Sequence, residues 1–252
     1  MSGCNSPETV TTRTLIFAHR GANQEAPENT RSAFDRALEY PIDGIETDVQ
    51  LSRDEVPVLW HDRFLGKLGM PWRHIDDLDY EQLMALEFNV QQSSERLMSL
   101  HDFVNAYRSR CSLLIEIKHR IGEPRTRQQI KVARTLDEIA GNDAIIVSSF
   151  DLQSLVQARD RRPDVPLIYN LTKGQNIRHM RNILIEYPFL HGLCMPVATL
   201  DRDSVDMLRE HCKCIAAYTC NSEEQIGLAL ELEVDILISD LPQKASEAAS
   251  AR

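Results

Sequence analysis

The sequence predicts an α/β chain closed into a (β/α)8 TIM barrel with a short insertion after the second strand. Three observations carry this. Short runs rich in Ile, Leu and Val alternate with amphipathic helical segments along most of the chain. Those runs are almost continuously apolar, as strands are in a parallel sheet covered on both faces. They number eight once the short run before His61 is taken as an extension of the second strand, and 252 residues is a usual span for one such barrel. An open, doubly wound sheet is the competing arrangement. No internal repeat or linker divides the chain. Residues 14–242 are therefore expected to form one domain, with 62–97 a βα-loop insertion. Residues 1–13 and 243–252 read as flexible ends, the latter with the option of a short final helix.

Leu15 to Ala18 form the first strand, which ends at His19-Arg20-Gly21. Asn29 or Thr30 can cap a helix whose apolar face is Ala33, Phe34, Ala37 and Leu38. Tyr40-Pro41 stops it, because the residue before proline avoids the helical region. The second strand, Ile42 to Val49, is followed by a turn at Ser52 to Glu55 and the short run Val56 to Trp60. Gly66, Gly69 and Pro71 break the segment beyond it, and a helix is expected over Leu78 to Phe88 before a polar stretch at Gln91 to Glu95. Leu100, Phe103, Val104 and Tyr107 stand at helical spacing. The third strand, Ser112 to Lys118, leads to a helix from Pro124 to near Gly141. Strands Ala144–Ser149, Val165–Tyr169, Phe189–Met195, Cys214–Tyr218 and Val234–Ser239 then alternate with helices Leu152–Asp160, Gln175–Glu186, Arg202–Glu210 and Ser222–Glu231.

A net charge of -10 argues against nucleic acid or an anionic membrane as partner, so any phosphate must meet a local cationic pocket. No run approaches the roughly 18 apolar residues of a spanning helix, and Met1 to Arg13 lacks a signal-peptide core. The chain reads as a cytoplasmic protein acting on a small molecule, with its oligomeric state open. Six cysteines in a chain this long, without a Cys-x-x-Cys pair, do not suggest a disulfide framework. Cys212-Lys213-Cys214 beside His211 reads as core packing rather than a soft-metal site.

Candidate chemistry gathers at the strand ends, where barrel active sites lie. Side chains two apart on a strand share a face, so Glu46 and Asp48 look one way, as do Glu116 and Lys118. Three carboxylates meeting in one mouth call for a cation between them. Oxygen-only ligands point to a hard divalent ion, Mg²⁺ or Ca²⁺, rather than zinc. Arg20 and Lys118 can hold a phosphate oxygen. His19 and His61 bring imidazoles, the side chains that titrate near neutral pH. The set suits metal-assisted chemistry on a phosphate ester.

Ala18-His19-Arg20-Gly21, Pro27-Glu28-Asn29-Thr30, Gly44-Ile45-Glu46-Thr47-Asp48-Val49, Pro57-Val58-Leu59-Trp60-His61-Asp62 and Leu114-Ile115-Glu116-Ile117-Lys118 resemble, in that order and spacing, the glycerophosphodiester phosphodiesterase family. The resemblance covers most of the chain and implies a barrel and a divalent metal at Glu46, Asp48 and Glu116. It also implies hydrolysis of glycerophosphodiesters to sn-glycerol 3-phosphate and an alcohol, with His19 and His61 as general acid and base in either assignment and Arg20 and Lys118 on the phosphate. Water and a neighbouring glycerol hydroxyl both stand as nucleophile. A lysophospholipase D or cyclising phospholipase is the alternative on the same scaffold, which an apolar groove at Phe64, Leu65, Leu68, Met70 and Trp72 would favour. A non-catalytic binding barrel ranks last. Glu28 and Asn29 are candidates to brace Arg20, and Phe150 and Tyr218 to contact the glycerol moiety. The family's usual Trp is Tyr218 here.

Overall fold

A computed structural model of the chain describes residues 13–88, 95–141 and 144–252. Its strands are β1 (Leu15–His19), β2 (Gly44–Leu51), β3 (Pro57–Leu59), β4 (Ser112–Ile117), β5 (Ile145–Ser149), β6 (Leu167–Asn170), β7 (Gly192–Pro196), β8 (Cys214–Tyr218) and β9 (Ile236–Ser239). All but β3 run parallel, in the order β2-β4-β5-β6-β7-β8-β9, with β1 pairing to both β9 and β2 to close the barrel. The open-sheet arrangement is thereby excluded. The run before His61 does not extend β2 but folds back on it as antiparallel β3, outside the barrel. The Ser52–Glu55 turn explains the reversal. Ser52 Oγ accepts the Val56 N–H at 2.9 Å, and Glu55 takes a left-handed φ of 66°.

The helices are α1 (Arg31–Ala37), α2 (Tyr80–Met84), α3 (Leu100–Tyr107), α4 (Arg125–Glu138), α5 (Leu152–Arg161), α6 (Ile177–Glu186), α7 (Arg202–Glu210), α8 (Glu223–Glu231) and α9 (Pro242–Ser250). Thr30, Ser99, Asp151, Asn176, Asp201 and Ser222 each cap a helix by accepting the N–H three residues on, a contact worth about 1 kcal/mol. The helix expected over Leu78 to Phe88 is shorter than the apolar pattern suggests. Asp79 and Gln82 form a capping box that starts it, and the Phe88 N–H donates to Glu95 O at 2.9 Å in a bridge that demands extended backbone. The C-terminal stretch, read as a flexible end or a short helix, is α9. It starts on Pro242 and buries Ala245 and Ser246. Residues 1–12, most of the other expected flexible end, lie outside the described residues, as does most of the polar stretch before Glu95.

Strand alternation divides the apolar side chains into two layers. Phe17, Leu114, Ile168, Cys194, Ala216, Ile236 and Ile238 fill the barrel, while Ile16, Ile45, Ile115, Val147, Leu193 and Ile215 join the helices in the outer core. Gly44 serves this packing, since a Cβ there would stand 2.4 Å from the Phe17 ring. The segment after β3 makes a small core of its own from Val58, Trp60, Leu65, Leu68, Ile75, Leu83, Phe88 and Leu97. Leu65 and Leu68 are spent in that core and Phe64 stacks on His74, which leaves Trp72, 86% exposed, as the most open of the five side chains that a lysolipid groove would use. No helix among the described residues is long and apolar enough to cross a membrane.

Candidate active site

The inward-facing positions at the C-terminal ends of β1, β2 and β4 bring the sequence-selected side chains together. On β1 the alternation points Phe17 into the barrel and His19 into its mouth. On β2 it points in Gly44, Glu46 and Asp48; on β4, Leu114 and Glu116, with Lys118 just beyond. One carboxylate oxygen each from Glu46, Asp48 and Glu116 fall within 4.8 Å of one another. Lys118 Nζ stands 2.8 Å from Glu116 Oε1 and 3.3 Å from Asp48 Oδ1, and Arg20 Nε stands 3.0 Å from Asp48 Oδ2. His19 Nε2 lies 3.8 Å from Glu46 Oε2. His19, Arg20, Glu46, His61, Glu116 and Lys118 line one cavity of about 130 Å³, completed by Phe150, Asn170, Cys194, Tyr218 and other inward residues.

Local backbone geometry sets Arg20. It follows β1 with a φ of 58°, and Gly21 continues the left-handed turn at 82°. A Cβ on Gly21 would sit 2.6 Å from the Ala33 carbonyl carbon, so the turn packs directly on α1. Glu28 Oε2 accepts from Arg20 Nη1 at 3.2 Å. Asn29, at a φ of 57°, is not the helix cap; Thr30 is. The Asn29 amide instead donates to Asp48 at 3.2 Å and accepts from Thr47 Oγ1 at 2.8 Å. The loop between β1 and α1 thus braces both the arginine and the central carboxylate.

Charge in the cavity is unevenly matched. Burial pushes the Glu46 carboxyl well above the usual carboxylate range, and Asp48 beside it acts in the same sense. Burial alone would raise Asp48 too, but Lys118 and Arg20 outweigh it and hold that carboxyl below its ordinary range. Glu116 and Asp48 in turn keep the buried Lys118 ammonium charged against its desolvation. Glu46 Oε2 and Asp48 Oδ1 are buried yet have no hydrogen-bond partner. Three converging buried carboxylates, with two oxygens that accept no hydrogen bond, are the donor set of a hard divalent cation, so Glu46, Asp48 and Glu116 fit one. Glu28, His61 and Asp62 also cluster, but Lys67 Nζ already sits 2.8 Å from Glu28 and 3.0 Å from Asp62 and supplies the positive charge.

Each histidine has a carboxylate behind it. His19 Nδ1 is 2.6 Å from Asp240 Oδ1, and His61 Nδ1 is 2.9 Å from Asp62 Oδ1, which leaves Nε2 of each ring for the cavity. Asn23 and Asn221 also donate to Asp240. Burial opposes the charge on Asp240, but the bond from His19 and those two amides win and hold its carboxyl at about 2. The His61 bond and Lys67 hold Asp62 at about 2 as well. Sequence reasoning gave Asp62 no catalytic role and passed over Asp240, Lys67, Ser148 and Asn170. Asp240 directly follows β9, so the strand-end rule could have found it. Nothing local marks Lys67. Phe150 and Tyr218 stack edge to face, ring centroids 6.0 Å apart, on the cavity wall.

Comparison with known proteins agrees with this geometry. The model of the glycerophosphoryl diester phosphodiesterase family matches residues 19–244. A glycerophosphodiester phosphodiesterase of Caldanaerobacter subterraneus subsp. tengcongensis is 31% identical over 244 residues, covering 92% of this chain and 96% of its own. One from Bacillus altitudinis is 29% identical over 246 residues, with the same 92% and 96% coverage. Among solved structures, an Oleispira antarctica phosphodiesterase in complex with the product sn-glycerol-3-phosphate superposes with a TM-score of 0.82 at 24% identity, covering 95% of this chain and 98% of that one. A family match spanning the barrel, on a mouth built from two histidines, two cations and three converging carboxylates, means that the chain belongs to the glycerophosphoryl diester phosphodiesterase family and is a phosphoric diester hydrolase.

Proposed function

We propose that the enzyme hydrolyses glycerophosphodiesters to sn-glycerol 3-phosphate and an alcohol by metal-dependent chemistry, with His19 and His61 as the general acid and base. The observation that carries this is the convergence of three buried carboxylates, two of which keep an oxygen that accepts no hydrogen bond, between two cations and two carboxylate-backed imidazoles. Relatives at 29–31% identity bear the phosphodiesterase name, and the Oleispira enzyme was captured with sn-glycerol-3-phosphate.

Glu46, Asp48 and Glu116 would hold Mg²⁺ or Ca²⁺, which supplies Lewis-acid polarisation of a phosphoryl oxygen. Arg20 and Lys118 neutralise the other phosphate oxygens, Arg20 through its planar fork and Lys118 as a point charge. Asp240 and Asp62 hold a proton on Nδ1 of their histidines and so fix the tautomer and aim Nε2. One Nε2 takes the proton of the attacking water or glycerol hydroxyl, and the other delivers a proton to the departing alcohol oxygen; on the hydroxyl route water then opens the cyclic phosphate with the same pair in reversed roles. Each positioned transfer is worth roughly 10²–10⁴ in rate. A small phosphodiester in a cytoplasmic setting completes the reading, supported by a net charge of -10 and by the buried thiols of Cys194 and Cys220.

The test is choline and glycerol 3-phosphate release from glycerophosphocholine by EDTA-stripped enzyme, with Mg²⁺ or Ca²⁺ added back. Release should stop on stripping and return with the ion. Glu46→Gln should weaken ion affinity and turnover together, whereas His19→Ala and His61→Ala should lower kcat roughly 10²–10⁴-fold and leave ion binding in place. Turnover that survives complete chelation would overturn the metal site.

A further inference from the structure

The wall of the cavity beyond Glu116 carries a polar pair that the phosphate chemistry leaves unused. Ser148 on β5 is the register partner of Glu116 on β4, and Asn170 ends β6, the next strand round. Both face the cavity or its edge with the catalytic groups and both are buried, Ser148 at 2% and Asn170 at 6% exposure. The Asn170 amide nitrogen donates to Ser148 Oγ at 3.3 Å, and Asn170 Oδ1 has no hydrogen-bond partner. Turning the amide over would exchange which atom is free and still leave one free. A buried amide edge in the lining of a cavity, with one atom unsatisfied, asks for a partner from whatever enters it.

The chemistry of that partner follows from the neighbours. Polar side chains run in an arc round the barrel wall over β2, β4, β5 and β6, from Glu46 and Asp48 through Glu116 to Ser148 and Asn170. β7 and β9 carry Cys194 and Ile238 at the cavity and offer no strong donor. A phosphate oxygen is served by Arg20 and Lys118 and would be repelled by an amide oxygen beside Glu116. An uncharged hydroxyl fits, because it can donate to Asn170 Oδ1 while accepting the Ser148 proton.

We infer that Asn170 and Ser148 form a subsite for a free hydroxyl of the substrate's glycerol arm and so select glycerol-bearing diesters over diesters without hydroxyls. This rests on the phosphodiesterase reading above. The experiment compares choline release from glycerophosphocholine and from propyl phosphocholine, which keeps the head group and reacting phosphorus but lacks both hydroxyls. The ratio of the two kcat/KM values is the readout, so a general loss of activity cancels. Wild-type enzyme should prefer the glycerol diester, and Asn170→Leu should lower that preference by about tenfold or more, since a site built to bond a hydroxyl discriminates strongly against its absence. Ser148→Ala, a smaller change that keeps the fold if Asn170→Leu does not, should lower it about threefold. A ratio within twofold of wild type in the folded variants would overturn the subsite and leave the phosphodiesterase intact. No choline release from either diester by metal-loaded wild-type enzyme would overturn the phosphodiesterase reading, and the subsite with it.

Discussion

Asp240→Asn is the most informative single change. Asp240 accepts from His19 Nδ1 at 2.6 Å, and Asn23 and Asn221 donate to the same carboxylate. All three partners present hydrogen atoms to it. An asparagine turns one of those acceptors into a donor, so one partner must be lost. If the amide nitrogen faces the ring, His19 carries its proton on Nε2 and loses the carboxylate that stabilises its imidazolium form, which either role requires. If the oxygen faces the ring, it still accepts from His19 and Asn23, and the Asn221 amide is left against an N–H. Losing a charge-assisted hydrogen bond costs about 1.5–3 kcal/mol, which at about 1.4 kcal/mol per decade lowers kcat roughly 10–150-fold. The assay is steady-state release of glycerol 3-phosphate from glycerophosphocholine, with ion binding followed separately by thermal shift. Turnover should fall in that range while the ion-induced shift stays, because Asp240 is not among the three converging carboxylates. An Asp240→Asn enzyme within twofold of wild type would refute the claim that this carboxylate sets the His19 tautomer.

Lys67→Met removes the cation shared by Glu28 and Asp62; half-buried pairs of this kind are worth about 1 kcal/mol or less each, so kcat/KM should fall roughly 3–10-fold with little change in Tm. A Tm loss matching the activity loss would show that the contact only holds the insertion in place. Gly21→Ala forces a φ of 82° on a side chain and a Cβ 2.6 Å from Ala33, which costs about 1–3 kcal/mol for each effect and should lower Tm by roughly 5–15 °C in a thermal melt. Acid should also act through Asp62 and Asp240. Both carboxyls sit at about 2 against an ordinary 3.8, so their contribution is complete above about pH 4 and is lost as the pH falls towards 2. Acid unfolding followed by circular dichroism should show a shallower slope over that window in Asp240→Asn than in wild type.

The barrel was legible because its two signals are local. Strands show as short, almost continuous apolar runs whose side chains alternate between two faces, helix faces repeat with period 3.6, and neither needs knowledge of the partner strand. The same alternation placed His19, Glu46, Asp48, Glu116 and Lys118 in one mouth once closure was assumed. What escaped was non-local or irregular. β3 looked like more of β2 because reversal depends on one serine hydroxyl and a left-handed glutamate. The α2 helix ended early because its apolar pattern competes with the antiparallel bridge between Glu87 and Arg96. Asp240 was hidden by distance, since its partner lies 221 positions away in the chain. Lys67 sits among glycines in a segment without period, so its two acidic partners appear only in three dimensions.

The position of β1 has a consequence for synthesis. It is the seam of the barrel, flanked by β2 on one side and by β9, the last strand to leave the ribosome, on the other. The three converging carboxylates are encoded before residue 117, so a nascent chain carries them early. The imidazole at His19 gains its orienting carboxylate only when β9 docks and brings residue 240 beside it. Non-local strand pairing of this kind is the slow part of folding. A chain made only as far as β4 therefore holds all three carboxylates but not the one behind His19, and the proposed site is whole only with closure.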